Sequence, residues 1–190
     1  MKKTLITSVL MTIATTVLLG IVYPLVVTGL AQLLFKDKAD GQLIVRNEKV
    51  VGSRIIGQAF VGPDYFHSRP SAAGNGYDAA NSNGSQLGPT NQHLIDRVNT
   101  DVATNHADNP SQPVPVDLVT TSASGLDPNI SPAAAAFQVP RVAKQRGISE
   151  DQARQLVQAH TLSRQLSLLG ESRVNVLELN LDLDAKFPKK

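Results

Sequence analysis

The residues of this sequence with the clearest potential for catalysis are His67 and Asp64, which lie in one short stretch with several serines nearby. A Ser-His-Asp hydrolase would need Ser68, Ser71 or Ser85 to lie against His67 in the fold. The sequence around Ser85 reads GSQLG and lacks the G-x-S-x-G nucleophile elbow. Because sequence proximity of such common residues is weak support for a triad, we do not expect a hydrolase.

The histidines could alternatively bind a metal ion, and there are four of them: His67, His93, His106 and His160. No two are three or four residues apart, so the paired geometry of ligands on one helix face is missing. The chain has no cysteine, which excludes disulfides and thiolate metal sites. We therefore expect no metal site, and we expect His160, on an apolar helix face, to be a hydrogen-bonded core histidine.

Nucleotide binding by the chain alone lacks its usual motifs. No G-x-x-x-x-G-K-[ST] loop occurs, and Gly74-Asn75-Gly76 is followed by tyrosine without a strand-to-helix context. Lys2 and Lys3 account for the whole net charge of +2, since the other residues carry 16 basic and 16 acidic side chains. A neutral domain without a basic stripe does not predict nucleic-acid binding.

An uncharged stretch from Thr4 to Phe35 predicts a transmembrane helix. It runs for 32 residues without Asp, Glu, Lys, Arg or His, and a bilayer core needs roughly 20 apolar residues as helix. Pro24 removes one backbone donor, so we expect a kink near Val22-Tyr23. The small residues around it allow close packing against other helices, which makes four positions candidates for membrane packing: Gly20, Pro24, Thr28 and Gly29.

The alternative is a cleavable signal peptide, with Gly29-Leu30-Ala31 as the cleavage site. The apolar region before that site is far longer than the 7–15 residues of a signal sequence, so we expect a retained anchor. The flanking positive charges do not decide the orientation, but a long C-terminal domain crosses the membrane largely regardless of charge. The predicted organisation is a cytoplasmic tail at 1–3, a transmembrane helix at 4–35 and one extracytoplasmic (periplasmic) domain at 36–190.

Strand signals frame this domain. Leu43–Val45 and Val50–Val51, separated by a polar turn, predict a β-hairpin that continues in extended form through Ile55 to Val61. Val116–Val119 predicts a short extended piece. Alternation of leucine with Asn and Asp from Val174 to Asp184 predicts a final strand.

Helix signals lie between these strands. Asn91 precedes an amphipathic helix that contains Leu94, Ile95, Val98 and Val102 on one face. Ser131-Pro132 begins a helix that Gly147 ends, with a second piece starting at Pro140. Ser149 and Gln152 form a capping box for a helix that we expect to end at Gly170. Strands at both ends with helices between them predict an α+β fold.

The segment from Gly62 to Asn91 fits neither helix nor strand. It is rich in Ser, Ala, Gly and Asn, lacks the net charge of a disordered segment, and contains several aromatic and charged residues. A loop this long in a compact domain is usually functional or disordered. We interpret it as an ordered loop that contacts a partner, rather than a mobile surface loop. The predicted interface residues are Tyr65, Phe66, His67, Arg69, Tyr77 and Asp78.

With these segments described, the chain resembles the C subunit of the Kdp potassium-transporting ATPase of bacteria. The resemblance covers essentially the whole chain in order, beginning with the uncharged span. It is carried by these motifs: LIVRNEKVVGSRIIGQAF, GPDYFHSRPSAAGNGYDA, GSQLGPTN, SGLDPNISPAAA with RVA, and HT followed by RVNVLELN.

The resemblance implies a non-catalytic accessory subunit of an ATP-driven potassium uptake complex in the cell inner membrane, without a cofactor of its own. Its partners would be a channel-like potassium-translocating subunit, a P-type ATPase subunit and a very small single-span subunit, which would handle K⁺ and ATP. In this family the subunit assists assembly and raises the ATP affinity of the ATPase subunit. In agreement, the Asp-Lys-Thr-Gly phosphorylation motif is absent from the sequence.

The resemblance also implies a candidate ATP contact at Gln152, in a segment similar to an ATP-cassette signature. The residues themselves favour a different role, because Gln152 occupies the third position of a capping box. A domain outside the cell would also not meet cytoplasmic ATP. The expected mechanism is packing, with the span beside the channel-like subunit and Gly62–Asn91 over its outer mouth. The alternative function is a freestanding membrane-anchored envelope hydrolase or solute-binding domain with a pocket at His67 and Asp64.

Overall fold

The computed structural model describes residues 1–189, so the last residue of the predicted domain lies outside the described part. The chain divides into two compact units, one comprising Met1–Val51 and the other beginning at Gly52. Helices and sheets are both present, which confirms the α+β prediction.

The first unit begins with one long apolar helix. It comprises α1 (Lys2–Thr15), a π-helical segment (Thr16–Val22) and α2 (Tyr23–Leu34). Within the described residues, Lys2–Leu34 is the only helix that is long and apolar enough to cross a membrane, with 33 residues and a mean hydropathy of 2.3. Pro24 lacks an amide proton, and the π-helical turns end at Val22, two residues before it. The helix is therefore irregular where the kink was predicted.

Hydroxyl groups near the start of this helix are satisfied internally. The side chains of Thr7, Ser8 and Thr12 each donate to the carbonyl four residues earlier, at 2.9–3.0 Å. An unpaired hydroxyl in hydrocarbon is costly, so these bonds make the polar residues compatible with a lipid environment.

A short helix, α3 (Lys36–Ala39), leads into the predicted hairpin, which consists of β1 (Leu43–Arg46) and β2 (Lys49–Ser53). The two connecting residues, Asn47 and Glu48, have φ of 49° and 62°, as a two-residue I′ turn requires. The predicted extended or bulged continuation through Val61 is interrupted at residues 54–56, which form a turn and a bend, and residues 57–61 belong to no strand.

The described residues of the second unit form four α-helices, a 3₁₀ turn and a small antiparallel sheet. The helices are α4 (Gln92–Asp108), α5 (Pro132–Arg146), α6 (Glu150–Ala159) and α7 (Val176–Lys186). The strands are β3 (Asn129–Ile130), β4 (Thr161–Leu162) and β5 (Arg173–Asn175), in the order β3-β5-β4. Ile130 and Thr161 both pair with Val174. The core lies where α5, α6 and α7 meet this sheet.

The predicted helix boundaries follow from their caps. The Asn91 side chain accepts from the His93 amide at 2.9 Å, and the Ser131 hydroxyl accepts from Ala134 at 3.1 Å. Gly147 ends α5 in the left-handed conformation with φ of 66°, which suits a residue without a Cβ. The second helical piece at Pro140 is wrong, because α5 continues through it.

Three further expectations are wrong. Most of the predicted last strand is the helix α7, which begins after the cap Asn175, whose side chain accepts from the Glu178 amide at 3.0 Å. Val116–Leu118 is a 3₁₀ turn. Helix α6 ends at Ala159, well before Gly170. His160 follows α6, with Nε2 2.8 Å from an Asp182 carboxylate oxygen. The predicted hydrogen bond is present, but the prediction of a core residue on a helix face is wrong, because His160 caps the end of α6 and its side chain is 23% exposed.

Candidate functional site

Residues 62–91 are ordered by contacts with their own domain. The first part, residues 62–70, crosses α5 and α7 and bonds to their side chains. The second part, residues 71–91, bonds to the turns that precede β3. The prediction of an ordered loop is confirmed, and the surface that orders its first part belongs to this chain.

Two buried amide side chains clasp the backbone of the 62–70 segment. Asn180 of α7 accepts from the Phe66 amide at 2.9 Å and donates to the Phe66 carbonyl at 2.8 Å. Gln138 of α5 does the same for His67, at 2.7 and 3.1 Å. Each side chain satisfies one donor and one acceptor, as a neighbouring strand would. A segment without strand partners is thereby held against the core.

Two arginines bind the preceding carbonyls. Arg141 donates to the carbonyls of Pro63 and Tyr65, and Arg146 donates from Nε to the Asp64 carbonyl at 2.9 Å. The side chain of Arg146 is only 1% exposed, and it also pairs with Asp184 at 2.7 Å. A buried guanidinium is tolerated only when its charge and its N–H donors are matched. Because the Asp64 carbonyl is one of its acceptors, Arg146 depends on the 62–70 segment being in place.

Carboxylates complete the charge balance around Arg146. Asp64 lies 3.5 Å from Arg146 and 2.7 Å from the Lys189 ammonium. Burial by itself would raise the pKa of Asp64, but the hydrogen bond and charge of Lys189 and the charge of Arg146 hold it below its usual value. Asp64 is therefore an ion-pair partner rather than a proton acceptor poised for catalysis.

Tyr65 connects the segment to the same charged cluster. Its hydroxyl donates to Asp184 at 3.0 Å. The Arg146 guanidinium and the Lys189 ammonium lie 4.7 and 4.5 Å from its ring centroid, within the range of cation–π attraction. The Tyr65 side chain thus has a structural role on the surface of its own domain.

The residues proposed for a hydrolase are committed to other contacts. His67 donates from Nε2 to the Gly62 carbonyl at 2.9 Å, and burial together with the nearby Arg141 charge lowers its pKa. Ser68 donates to Gln58 and Ser71 donates to the Gly125 carbonyl. The structure does not assemble these groups as nucleophile, base and orienting acid, which a triad requires.

Arg69 joins the segment to the turns before β3. Its guanidinium donates to the Thr120 carbonyl at 3.3 Å and to the Thr120 hydroxyl at 3.2 Å, and it lies 3.4 Å from Asp127. The hydroxyl of Tyr77 donates to the Arg69 carbonyl. These contacts fold residues 69–77 into a closed turn.

The same turns approach the 71–91 part closely at Gly125. This glycine has a φ of +67°, and a Cβ there would lie 2.5 Å from the Asn83 carbonyl oxygen and 2.7 Å from the Ala73 nitrogen. A side chain is excluded at this point. The close contact joins two turn-rich segments that are distant in sequence.

The six predicted interface residues divide into three groups. Phe66 is fully buried in the core, so its assignment to a partner interface is corrected: an aromatic ring in this position contributes to packing. Tyr65, His67, Arg69 and Tyr77 are half-buried and bonded within the domain. Asp78 stabilises an exposed turn, accepting from Ala80 at 2.9 Å and from Asn81.

The residues that hold the segment were not among the predicted site residues. Gln138 and Arg146 lie on the buried side of α5, and Asn180 lies among the leucines of α7. Their common signal is a polar residue at a helical core position, where burial demands a partner. That signal was hidden for Asn180 because its segment was interpreted as a strand with a polar face.

Similarity to known proteins identifies the family to which this chain belongs. The profile of the family described as KdpC, K⁺-transporting ATPase, c chain, matches residues 5–185. The potassium-transporting ATPase KdpC subunit of Koribacter versatilis is 67% identical over 188 residues, which cover 99% of this chain and 97% of that protein. This chain belongs to the KdpC family.

Other KdpC subunits show similarity of the same extent. That of Rhodopseudomonas palustris strain TIE-1 is 53% identical over the full length of both chains. That of Caulobacter vibrioides is 55% identical over 174 residues, which cover 91% of this chain and 88% of the relative. The similarity therefore includes both the apolar helix and the clasped segment of this KdpC-family chain.

Gln152, the candidate ATP contact of the KdpC-family chain, forms the capping box. Its side chain accepts from the Ser149 amide at 3.0 Å, and its own amide donates to the Ser149 hydroxyl at 3.2 Å. The adjacent cavity, which includes Lys186 and Phe187, has a volume of about 240 Å³, below the roughly 300–1,000 Å³ of ligand pockets. These contacts give Gln152 a structural role and leave ATP contact as a prediction.

The predicted membrane-packing residues lie in two parts of the apolar helix. Gly20 lies in the π-helical segment, and Pro24, Thr28 and Gly29 lie in α2. A Cβ added to Gly29 would have no neighbour within 4 Å, and one added to Gly20 would have only Thr16 at 3.9 Å. The helix surface is therefore open at both glycines, as close approach of another helix requires.

Proposed function

We propose that this chain is the accessory subunit of an ATP-driven potassium uptake complex, in which it stabilises the assembly and has no catalytic centre of its own. The observation that carries the proposal is the match to the KdpC family along residues 5–185. Its partners are a channel-like potassium-translocating subunit, a P-type ATPase subunit and a small single-span subunit. ATP and K⁺ are handled by those partners.

We further propose that Lys2–Leu34 is a retained single-pass anchor in the inner membrane, with the N-terminus in the cytoplasm and the folded domain outside. The length and hydropathy of this helix support the anchor. Gly20, Thr28 and Gly29 give a partner helix room to approach. In this arrangement an effect on ATP affinity is indirect, transmitted through the complex.

The exposed part of 71–91 is the proposed contact with the channel-like subunit. Residues 74–76 and 79–83 are exposed, while Asp78, Ser71 and Tyr77 hold their backbone in closed turns. A surface that is ordered before binding loses less conformational entropy on association. The clasped residues 62–70 act beneath it as the support.

The test is complementation of cells that lack this chain and all other high-affinity potassium uptake. The wild-type chain should restore growth and uptake at low potassium, and a tag on it should recover the other subunits from detergent extracts. A chain whose apolar helix is replaced by an unrelated span should export normally but recover fewer subunits. Uptake that is unaffected by the complete absence of the chain would contradict the proposal.

Orientation is tested with single cysteines, which this cysteine-free chain permits. Ala107→Cys and Ala185→Cys, both at exposed positions outside the proposed contact, should react with a membrane-impermeant thiol reagent in intact cells. Lys3→Cys should react only after lysis. Protection of the first two positions would place the domain in the cytoplasm.

The role of Gln152 is tested with two substitutions. Gln152→Glu keeps the capping box, because glutamate is equally suited to its third position. Gln152→Ala removes one of its two bonds, that from the Ser149 amide, at a cost of about 0.5–1.5 kcal/mol. We expect Gln152→Glu to leave both unfolding and the ATP affinity of the complex unchanged. A raised KM for ATP in Gln152→Glu with normal unfolding would instead indicate a functional contact.

A further inference from the structure

Residues 71–91 contain two Asn-Gly pairs, Asn75-Gly76 and Asn83-Gly84. An asparagine before glycine is prone to lose its side-chain amide, because glycine has no Cβ to hinder attack of its backbone nitrogen on the asparagine side-chain carbonyl carbon. Both asparagines are exposed. The sequence therefore presents two equivalent pairs, and any difference in their reactivity comes from the fold.

The attacking nitrogen is bonded in one pair and free in the other. The Gly76 amide donates to the Ala73 carbonyl at 2.9 Å, and this bond must break before the nitrogen can lose its proton and attack. The Gly84 amide donates to no group within residues 1–189. The nucleophile of the second pair is therefore available without any opening of the fold.

The side chain of Asn83 is polarised for this attack. Its carbonyl oxygen, Oδ1, accepts from the Gln86 side-chain amide at 2.7 Å. A donor at this oxygen stabilises the negative charge that develops on it when a nucleophile adds to the carbonyl carbon, as in an oxyanion hole. In the part of the chain that the structure describes, the Asn75 side chain accepts no such bond. The electrophile of the second pair is therefore the more reactive one.

A recess beside Asn83 leaves space for the reaction. It has a volume of about 480 Å³ and lies between residues 83–86 and residues 121–123. The Asn83 amide donates to the Ser124 carbonyl at 2.9 Å, which fixes the backbone on the N-terminal side of the pair. Water can therefore reach the reacting groups while the surrounding turn stays in place.

We propose that Asn83 is a site of spontaneous deamidation through a succinimide formed with Gly84, and that the fold protects Asn75. The Gly84 nitrogen loses its proton to hydroxide and bonds to Cγ of Asn83. The bond from Cγ to the side-chain nitrogen breaks, and that nitrogen takes a proton from water and leaves as ammonia. Water then opens the ring at its side-chain carbonyl to give aspartate, or at its main-chain carbonyl to give isoaspartate.

The isoaspartate product would disturb the contact between two segments of the domain. The Asn83 carbonyl oxygen lies so close to Gly125 that a Cβ there would be 2.5 Å from it. In isoaspartate the backbone passes through the former side chain, and this oxygen becomes part of a charged carboxylate. Deamidation therefore changes both the charge and the packing of residues 71–91. The inference does not depend on the proposed function.

The test is to age the purified full chain in detergent at mildly alkaline pH and to map the deamidated peptides by mass spectrometry. Asn75 is the matched control in the same loop. We expect Asn83 to react faster by about fivefold or more, the factor by which one hydrogen bond shifts an equilibrium. Equal rates at the two positions, or faster reaction at Asn75, would overturn the proposal.

Unfolding separates the effect of the fold from that of the sequence. In guanidinium chloride, which removes the Gly76 and Gln86 bonds, the two asparagines should react at similar rates. A ratio that persists in the unfolded chain would overturn the assignment of the difference to the fold.

Substitutions test the route and the role of Gln86. Gln86→Met keeps the length of the side chain and removes its donor, so reaction at Asn83 should slow several-fold while the rate at Asn75 stays unchanged. An unchanged rate at Asn83 would overturn the role assigned to Gln86. Asn83→Gln should give almost no product at this position, because the longer side chain closes a larger ring more slowly. Product at the wild-type rate would overturn the succinimide route.

Discussion

Residues 62–70 and the leucine hairpin, residues 162–170, are opposites in composition and in surroundings. The first contains Asp, His, Arg and Tyr, yet it is clasped by Gln138 and Asn180 and contributes Phe66 to the core. The second is rich in leucine, yet its side chains face solvent. Charged and aromatic residues therefore do not by themselves identify the surface that meets a partner.

The difference follows from where polar groups find partners. The 62–70 backbone has no strand beside it, so burial is possible only because side-chain amides and guanidiniums satisfy its carbonyls and amides. Residues 162–170 form backbone bonds among themselves, with the amides of Gln165 and Leu169 each donating to the carbonyl of the other. The exposed leucines of this hairpin are therefore free of any role in folding that the structure reveals.

The largest loss of stability is expected when the Phe66 side chain is truncated. Phe66→Ala leaves a cavity in the core and should lower the free energy of unfolding by about 3–5 kcal/mol. Phe66→Leu, the matched control, should cost less than about 1.5 kcal/mol. Denaturant unfolding of the full chain in detergent measures both, and equal, small effects would remove Phe66 from the core.

Removal of one amide clasp should have the next largest effect. Asn180→Ala leaves the Phe66 amide and carbonyl without their partners, and we expect a loss of about 1–3 kcal/mol. Asn75→Ala, at an exposed position, should change stability by less than about 0.5 kcal/mol. The same unfolding measurement checks both variants. A loss no greater than that of Asn75→Ala would show that the segment does not depend on this clasp.

A third contrast depends on pH. The pKa of His67 in the folded state is lowered by burial and by Arg141, so protonation favours the unfolded state. The neutral ring makes its full contribution to the free energy of unfolding above the ordinary histidine pKa of about 6.5. This contribution declines as the pH falls from there toward the lower pKa of His67 in the folded state. His67→Gln should flatten this decline in thermal unfolding measured from pH 8 to 5. A decline that is unchanged would assign it to other groups.

The smallest effect on stability is expected in the leucine hairpin. Leu166→Ser, Leu168→Ser and Leu169→Ser combined should change the free energy of unfolding by less than about 0.5 kcal/mol per position, since these side chains are exposed. Thermal unfolding of the full chain checks this. A large loss would show that the tip supports its own fold, which would end the contrast with residues 62–70.

Local sequence signals determined much of the architecture. The uncharged run specified the apolar helix because a helix satisfies its own backbone without tertiary contacts. Asn91, Ser131 and the Ser149–Gln152 capping box specified where helices begin, since each bond joins residues only two or three positions apart. The α+β class and the β1–β2 hairpin followed from patterns of apolar and turn residues over similarly short stretches of sequence.

Tertiary structure decided the conformation of residues 176–184. The alternating leucines of 176–184 fit a strand with one buried face, but the segment is a helix because the core contacts several of its sides, with Leu177, Leu179 and Leu183 all buried. The cap Asn175 with Glu178 was the local signal for that helix.

The candidate site depended most on long-range contacts. Bonds from Asn180 to Phe66 and from Gln138 to His67 join residues 114 and 71 positions apart. No local pattern encodes such pairs, because a buried amide has the same sequence context whichever backbone group it satisfies. The sequence by itself therefore determined the apolar helix, the beginnings of α4, α5 and α6, and which family the chain resembles. Only the packed core decided that residues 62–70 serve the fold while the leucines of residues 162–170 stay exposed.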